Sequence, residues 1–340
     1  MHVRIIGAGV AGLTCAVELA ERGEAVEVLE RGAQLGAAGC SWYAGGMLAP
    51  WCERERAEPL VAQLGAEGIG WWRAHFAGTE QQGSLVVAHE RDVRELRRFA
   101  GRTEHFEWLE SAAIAALEPD LAGRFARALF FADEAHLDPR AALGALAKRL
   151  EELGGRVRFG VDGAPAEVGA ARDVRVIRCT GLAARDVLTG LRGVTGEMLL
   201  LRTREVCLSR PVRVLHPRLP LYIVPRGDGL FMVGATMIES DSAGRISARS
   251  MLELLNAAYA VHPAFGDAEI VEIGTGVRPA FADNLPRICR EHGTLYVNGL
   301  YRHGFLLAPA LARRAADVVL HDQFFPEVML DENPRQRCLA

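Results

Sequence analysis

The alternation of apolar and polar positions in the first thirty residues predicts a strand, a helix and a second strand. Residues 3–6 form a short apolar run, and the helical spacing that follows extends to Arg22. Gly23 ends that helix, and the next apolar stretch, from Ala25, ends on Glu30. Elements in this order are typical of the βαβ unit of an α/β sheet.

The turn between the first strand and the helix carries glycines at the spacing of a dinucleotide-binding motif, Gly7-Ala8-Gly9-Val10-Ala11-Gly12. Gly7 permits a tight turn, Gly9 lets the backbone approach a pyrophosphate, and Gly12 lets the helix pack closely on the strand. Glu30 would accept hydrogen bonds from the ribose hydroxyls of an adenosine. Because strand, helix and acid all stand where the motif requires them, dinucleotide binding is favoured over an ordinary glycine-rich turn.

The rest of the chain predicts an α/β lobe that is interrupted by a β-rich antiparallel lobe and then resumed. The predicted helices cover 59–76, 92–100, 139–153, 247–261 and 309–320, and the predicted strands cover 156–161, 173–178, 212–216, 221–224, 230–234, 270–274 and 294–298. Gly227-Asp228-Gly229 is a hairpin signal. Ser250 and Glu253 offer a capping box, and Pro309 suits a first helical turn.

Composition fits a globular enzyme of two lobes. The 340 residues are 50% hydrophobic and 24% charged, and a net charge of -4 argues against a nucleic-acid partner. The arginines in 91–102 alternate with acids, which indicates a solvated helix face. Seven scattered cysteines without a Cys-x-x-Cys pair predict neither a disulfide framework nor a zinc site, and the histidine spacing predicts no metal. Neither a signal peptide nor a membrane span is expected, so a cytoplasmic location is expected.

Other small-residue segments could lie against a flat ligand. Gly36–Ser41 and Ala44-Gly45-Gly46-Met47 carry little side-chain volume. Thr180 and Gly181 close a predicted strand and would bring the chain back beside the nucleotide. Gly304, before the last predicted helix, would help to present amide groups to negative charge.

Five motifs, in this order, resemble the D-amino-acid oxidase family of amine-oxidising flavoproteins, and within it the glycine oxidases, including the branch that serves thiamine biosynthesis. They are the N-terminal fingerprint, Ala44–Met47, Val233-Gly234-Ala235-Thr236-Met237, Gly276-Val277-Arg278-Pro279 and Tyr301-Arg302-His303-Gly304. The resemblance covers residue 3 to about 321. It implies an α/β fold in which a Rossmann-like FAD-binding domain of the GR2 type is interleaved with an antiparallel-sheet α+β substrate domain.

The resemblance also implies domain boundaries and a cofactor. The FAD-binding domain would comprise 1–80, 136–195 and 275–325, the substrate domain 81–135 and 196–274, and the C-terminal tail 326–340. FAD is expected to bind without a covalent bond, although Cys40 lies in one of the small-residue loops. The expected cofactor-binding residues are Gly7, Gly9, Gly12, Glu30, Arg31, Ala44, Gly45, Gly46, Met47, Val161, Thr180, Gly181, Gly304 and Phe305.

Four residues are implied to meet the substrate: Arg278 grips its carboxylate, Tyr222 donates a hydroxyl to the same group, Met237 lines the pocket and Arg302 closes it. Chemistry supports Arg278, because a guanidinium meets a carboxylate with two parallel donors. The residues alone leave other interpretations open: a surface ion pair for Arg278, sheet packing for Tyr222, core filling for Met237, and solvent or phosphate contact for Arg302. The role of His303 also stays open.

The expected activity is FAD-dependent oxidation of glycine or a similarly small amino acid, by hydride transfer from the α-carbon to flavin N5. The imine would give an α-keto acid and ammonia, O2 would be reduced to hydrogen peroxide, and thiamine thiazole synthesis would be supplied. Alternatives are oxidation of sarcosine, another N-methyl amino acid, D-proline or a small D-amino acid, a dehydrogenase that uses a quinone, a nicotinamide enzyme, and a flavoprotein with a macromolecular partner. The oligomeric state is open, a homo-oligomer included.

Overall fold

The computed structural model describes residues 1–37, 39–163, 174–215, 221–242 and 244–330. Ala38 of the Gly36–Ser41 loop, the predicted strand ends at Asp173 and His216, and the part of the predicted tail after Leu330 lie outside the described residues. The chain divides into two compact units. The first contains Met1–Trp42, Leu143–Arg192 and the chain from Arg278 onward, and the second contains Tyr43–Ala142 and Gly193–Val277.

The strands and helices are numbered in chain order. The strands are β1 (His2–Ile6), β2 (Ala25–Glu30), β3 (Met47–Leu48), β4 (Ser84–Ala88), β5 (Glu107–Glu110), β6 (Arg127–Phe131), β7 (Ala135–His136), β8 (Arg156–Phe159), β9 (Val174–Arg178), β10 (Arg192–Arg202), β11 (Val212–Leu215), β12 (Leu221–Pro225), β13 (Leu230–Gly234), β14 (Glu269–Ala280), β15 (Arg287–Glu291) and β16 (Thr294–Asn298). The helices are α1 (Val10–Glu21), α2 (Pro50–Glu53), α3 (Pro59–His75), α4 (Val93–Ala100), α5 (Ser111–Leu117), α6 (Pro139–Glu152), α7 (Ala248–Val261) and α8 (Gly304–His321).

The first unit is built on a six-stranded sheet in the order β15-β16-β9-β1-β2-β8. Its strands pair in parallel except for the antiparallel pair β15 and β16. The alignment of Ile6 with both Leu29 and Arg178 brings the ends of the three central strands to one edge. Helix α1 packs along α8. This is the α/β lobe that the first thirty residues predict, and a strand does return beside the glycine-rich turn.

The second unit contains an eight-stranded sheet in the order β14-β10-β13-β12-β11-β4-β6-β5. Its buried core includes Leu199, Ile223 and Phe231, and α7 covers it with Leu254. Strands β11 and β4 pair in parallel, so the expectation of a purely antiparallel sheet was wrong at this pair. Strands β4 and β11 are far apart in sequence and are not joined by a hairpin, so their pairing need not be antiparallel. A small sheet of β3 and β7 completes the unit.

Two helix starts differ from the sequence prediction. Helix α8 begins at Gly304, and Pro309 lies inside it. A proline inside a helix removes one backbone hydrogen bond, and its ring crowds the carbonyl four residues earlier, but the burial of the residues around Pro309 can outweigh this cost. Helix α7 is capped by the Ser247 side chain, which accepts from the Ser250 N–H at 3.0 Å, so the cap stands three residues before the predicted capping box. Strand β14 is also longer than predicted, and it carries Arg278 near its end.

Helix α4 confirms the interpretation of the arginine-rich stretch as a solvated face. Leu96 and Phe99 are buried, whereas Arg94, Arg97 and Arg98 are exposed. Within the described ranges, we find no helix that is both long and apolar enough to span a bilayer. The two units are defined by their internal contacts, so the predicted boundaries of the FAD-binding and substrate domains stay a prediction.

Candidate active site

Two of the three glycines in the glycine-rich turn of the first unit have no room for a side chain. Gly7 adopts φ +104°, and a Cβ on it would stand 2.7 Å from the Cys179 carbonyl oxygen. A Cβ on Gly12 would overlap the Gly7 carbonyl oxygen. A Cβ on Gly9 would meet only the Ser41 Oγ, at 3.3 Å. Strand, turn and helix are therefore in backbone contact, and the outer side of the turn stays open to a ligand.

Glu30 lies at the end of β2 and reaches back to this turn. Its carboxylate accepts hydrogen bonds from the N–H groups of Ala8, at 2.7 Å, and Gly32, at 2.8 Å. The Val161 N–H donates to the Glu30 backbone carbonyl at 3.0 Å. The Arg31 side chain is exposed. Glu30 thus contacts the turn directly and Val161 lies beside Glu30, and their contact with an adenosine stays a prediction.

These residues fit a dinucleotide. Each carboxylate oxygen of Glu30 has a second lone pair, which leaves acceptor capacity for ribose hydroxyls. The first turn of α1 contains amide N–H groups that the helix itself does not bond, and such a helix start attracts a pyrophosphate. The Ser41 Oγ accepts from the Val10 N–H at 3.2 Å and lies at the same helix start.

Thr180 and Gly181 follow β9 and stand against the turn. The Thr180 nitrogen would be 3.6 Å from a Cβ on Gly7, and Asn298 donates its side-chain amide to the Gly181 carbonyl at 2.8 Å. Asn298 ends β16 and is buried. This hydrogen bond from Asn298 fixes the segment after β9 beside the predicted nucleotide site.

Arg278 occupies a half-buried position near the end of β14. Burial raises the pKa of the Cys40 thiol, and the positive charge of Arg278 offsets part of this effect, which places the guanidinium near Cys40. The Tyr301 N–H donates to the Pro279 carbonyl at 3.0 Å, so the Tyr301–Gly304 motif lies beside the Arg-Pro motif. A raised thiol pKa makes the thiolate of Cys40 scarce, and non-covalent binding of FAD stays a prediction.

The start of α8 packs tightly. A Cβ on Gly304 would be 3.4 Å from Val10 of α1, and the Phe305 side chain is 3% exposed. His303 is buried at the N-cap position, but its side chain forms no capping bond. Arg302 is half-buried. Any ligand contact of Gly304 or Phe305 would therefore come from the backbone at the helix start.

In the second unit, Tyr222 of β12 packs on the Ala44–Met47 loop. A Cβ on Gly45 would stand 2.8 Å from the Tyr222 ring, so only glycine fits beside it. Gly46 adopts φ +70°, and a Cβ there would overlap the Leu137 carbonyl oxygen. The ring also contacts a buried cluster that includes Met232. The Tyr222 ring therefore packs within the sheet, and a contact between its hydroxyl and the substrate stays a prediction.

In the loop after β13, two consecutive residues differ in the burial of their side chains. Thr236 is buried and donates its hydroxyl to Glu197 at 2.8 Å. Met237 is 42% exposed. The core-filling interpretation of Met237 was therefore wrong, because a core side chain would be buried.

Sequence reasoning missed the buried Arg226. Its guanidinium donates to the carbonyl oxygens of Leu137 at 2.5 Å, Gly45 at 2.7 Å and Ala44 at 3.2 Å. Burial lowers its pKa to about 10, and the nearby charge of Asp138 opposes this shift. One signal was present: Arg226 directly follows β12 and stands four residues after Tyr222, a spacing that in an extended chain returns to the same side.

Sequence reasoning also missed a buried acid, Glu134, at the start of the β7 segment. It is 0% exposed and accepts from the Cys52 N–H at 2.7 Å. Burial raises its pKa to about 8. No motif marks this glutamate, because its partner follows the distant Ala44–Met47 loop.

Comparison with known proteins identifies the family. Residues 2–318 match the family of FAD dependent oxidoreductases called DAO. The chain belongs to this family. It is therefore an FAD-dependent oxidoreductase, and the resemblance inferred from the five motifs is confirmed.

Individual relatives cover nearly the whole chain. A protein from Rhizobium etli that carries the name thiamine biosynthesis oxidoreductase ThiO is 59% identical over 328 residues, which are 96% of this chain and 99% of that protein. Glycine oxidase from Bacillus licheniformis is 28% identical over 348 residues, 93% of this chain and 92% of that enzyme. The crystal structure of glycine oxidase from Bacillus cereus has a TM-score of 0.80 at 23% identity and covers 95% of this chain and 96% of its own. The last likeness establishes the DAO-type fold.

Proposed function

We propose that this DAO-family protein oxidises glycine or a similarly small amino acid and supplies thiamine thiazole synthesis. The observation that carries the proposal is the 59% identity, over almost the full length of both chains, to the Rhizobium etli protein named for thiamine biosynthesis. The relative named glycine oxidase, at 28% identity, supports a small amino acid as the substrate.

Bound FAD would supply the redox chemistry: it would accept a hydride from the amino-acid α-carbon, which leaves an imine that hydrolyses to glyoxylate and ammonia, and its two electrons would reduce O2 to hydrogen peroxide. The protein supplies orientation and charge. Arg278 holds the substrate carboxylate with two parallel donors, and Tyr222 donates its hydroxyl to the same group. Met237 and Arg302 limit the volume around the substrate. The half-buried position of Arg278 supports its role, because partial exclusion of water strengthens a charged hydrogen bond.

No side-chain base is essential in this proposal. A neutral amine already favours departure of the hydride, so the protein must bind the substrate in the right orientation and in the neutral amine form. The roles of Arg278 and Tyr222 are then binding and orientation. A substitution of one histidine or acid that abolished flavin reduction without weakening substrate binding would contradict this step.

The test is anaerobic mixing of the FAD-loaded protein with glycine, sarcosine, D-alanine and D-proline while the flavin absorbance is followed. Glycine should bleach the flavin at the lowest concentration. Arg278→Ala should retain FAD and need about 100-fold more glycine, because two hydrogen bonds to a charged group are lost. Arg175→Ala, at an exposed arginine of β9 in the same unit, is the matched control and should behave as the wild type.

Other outcomes decide between the alternatives. Faster bleaching by sarcosine or D-proline would indicate that the preferred substrate is a secondary amine and not glycine. A flavin that reoxidises with a quinone but produces no peroxide in air would indicate a dehydrogenase. Unchanged glycine dependence in Arg278→Ala would overturn the carboxylate assignment.

A further inference from the structure

Arg226 combines deep burial with an unusual set of acceptors. Its side chain is 4% exposed, and the Asp138 carboxylate stands 3.9 Å from Nε. The closer partners are carbonyl oxygens: Leu137 at 2.5 Å, Gly45 at 2.7 Å and Ala44 at 3.2 Å. The buried Arg226 guanidinium thus donates mainly to backbone carbonyls, and two of the three belong to the Ala44–Met47 loop.

Fixing these carbonyls also fixes two N–H groups. In a trans peptide, the C=O of one residue and the N–H of the next point in opposite directions. The one cis bond among the described residues joins Gly234 to Ala235, so the peptides after Ala44 and Gly45 are trans. The N–H groups of Gly45 and Gly46 therefore point away from the guanidinium.

These two N–H groups have no acceptor in the part of the chain that the structure describes. The backbone of Gly46 is buried, and buried N–H groups are nearly always paired. The unpaired, uniformly aimed donors indicate a bound acceptor atom that belongs to a ligand.

We propose that Arg226 is a positioning residue that aims the N–H groups of Gly45 and Gly46 at an electronegative atom of the bound flavin ring. Oriented backbone donors stabilise negative charge that develops on a ligand, so this arrangement would favour the reduced ring. A lysine could not reproduce it, because a single ammonium cannot hold three carbonyls in a planar fork. The proposal rests on FAD dependence and not on the identity of the amine, so it can fail separately from the proposed function.

The test compares Arg226→Gln and Arg226→Lys with Arg210→Gln in the FAD-loaded protein. Arg210 is a matched control because it is a buried arginine of the same unit that bonds Glu118, at 2.6 Å, and the Gln82 carbonyl. The readouts are the dissociation constant of FAD and that of sulfite, a probe that adds to the flavin ring and reports how well negative charge is stabilised. Arg226→Gln should raise both constants by about tenfold or more, the loss expected for two hydrogen bonds. Arg226→Lys should recover part of the loss, and Arg210→Gln should leave both within about twofold.

A second measurement uses the wild-type protein, so that the proposal can be tested even if the Arg226 variants do not fold. Hydrogen–deuterium exchange of the peptide that spans residues 43–48 should slow when FAD is added to the apoprotein, because the two N–H groups gain an acceptor. Equal exchange with and without FAD would overturn the proposal. Unchanged FAD and sulfite constants in a folded Arg226→Gln protein would overturn it as well.

Discussion

Replacement of the buried Glu134 by glutamine should change how the stability of the protein depends on pH. Glu134 is 0% exposed, and one of its carboxylate oxygens accepts from the Cys52 N–H at 2.7 Å. Its other oxygen has no hydrogen-bond partner among the described residues. Burial raises its pKa from 4.5 to about 8, with a further increase from the charge of Glu53. Glutamine has nearly the same shape and resembles the protonated acid.

The sign follows from which state holds the proton. Below pH 4.5 both the folded and the unfolded protein carry a protonated Glu134, so folding is not penalised. Between pH 4.5 and 8 the unfolded protein loses this proton while the folded protein keeps it, so the free energy of unfolding falls as the pH rises. The slope is about 1.4 kcal/mol per pH unit, and the total between pH 4.5 and 8 is on the order of 5 kcal/mol.

Urea unfolding of wild type and Glu134→Gln at pH 5, 6, 7 and 8, with saturating FAD, measures this difference. The variant should become progressively more stable than the wild type over this range. Glu110→Gln is the control, because Arg127 holds the pKa of that exposed carboxyl below its ordinary value, and it is ionised in both states throughout. A stability difference between wild type and Glu134→Gln that does not vary with pH would refute the reasoning.

Three further substitutions, the first of them paired with a control, test the fold and the site. Gly12→Ala should lower the free energy of unfolding by about 1–3 kcal/mol and weaken FAD binding, because its Cβ would overlap the Gly7 carbonyl oxygen. The control Gly144→Ala, at an open helical position, should instead raise the free energy of unfolding by up to about 1 kcal/mol. Thermal unfolding and FAD titration measure both effects, and equal behaviour of the two variants would contradict the packing argument. Ser247→Ala should cost about 1 kcal/mol in urea unfolding through loss of the α7 cap, and a neutral result would exclude that capping role. Tyr222→Phe should raise KM for glycine about fivefold to tenfold with an unchanged flavin spectrum; an unchanged KM would remove its hydroxyl from the carboxylate site.

The sequence by itself determined the parts of the protein whose cause is local. The three glycines of the nucleotide turn and the acid at the end of β2 are set by the spacing of one βαβ unit, so the α/β lobe could be predicted from pattern, whereas the family followed from the resemblance of five motifs along the chain. The hairpin at Gly227–Gly229 also followed from local turn chemistry, and these residues adopt positive φ. The start of α8 could not be predicted, because the burial of Phe305, Leu306 and Leu307 outweighed the positional preference of Pro309.

Only the tertiary structure decided the roles of residues whose partners are distant in sequence. Arg226 bonds carbonyls that precede it by 182, 181 and 89 positions, and Glu134 meets a backbone N–H that precedes it by 82. No periodicity links such positions, so neither residue stood out in the sequence. The need for glycine at position 45 likewise arises from the ring of Tyr222, which a different segment brings there. Burial and long-range contact, which determine hydrogen-bond partners and pKa values, exist only once the chain has folded.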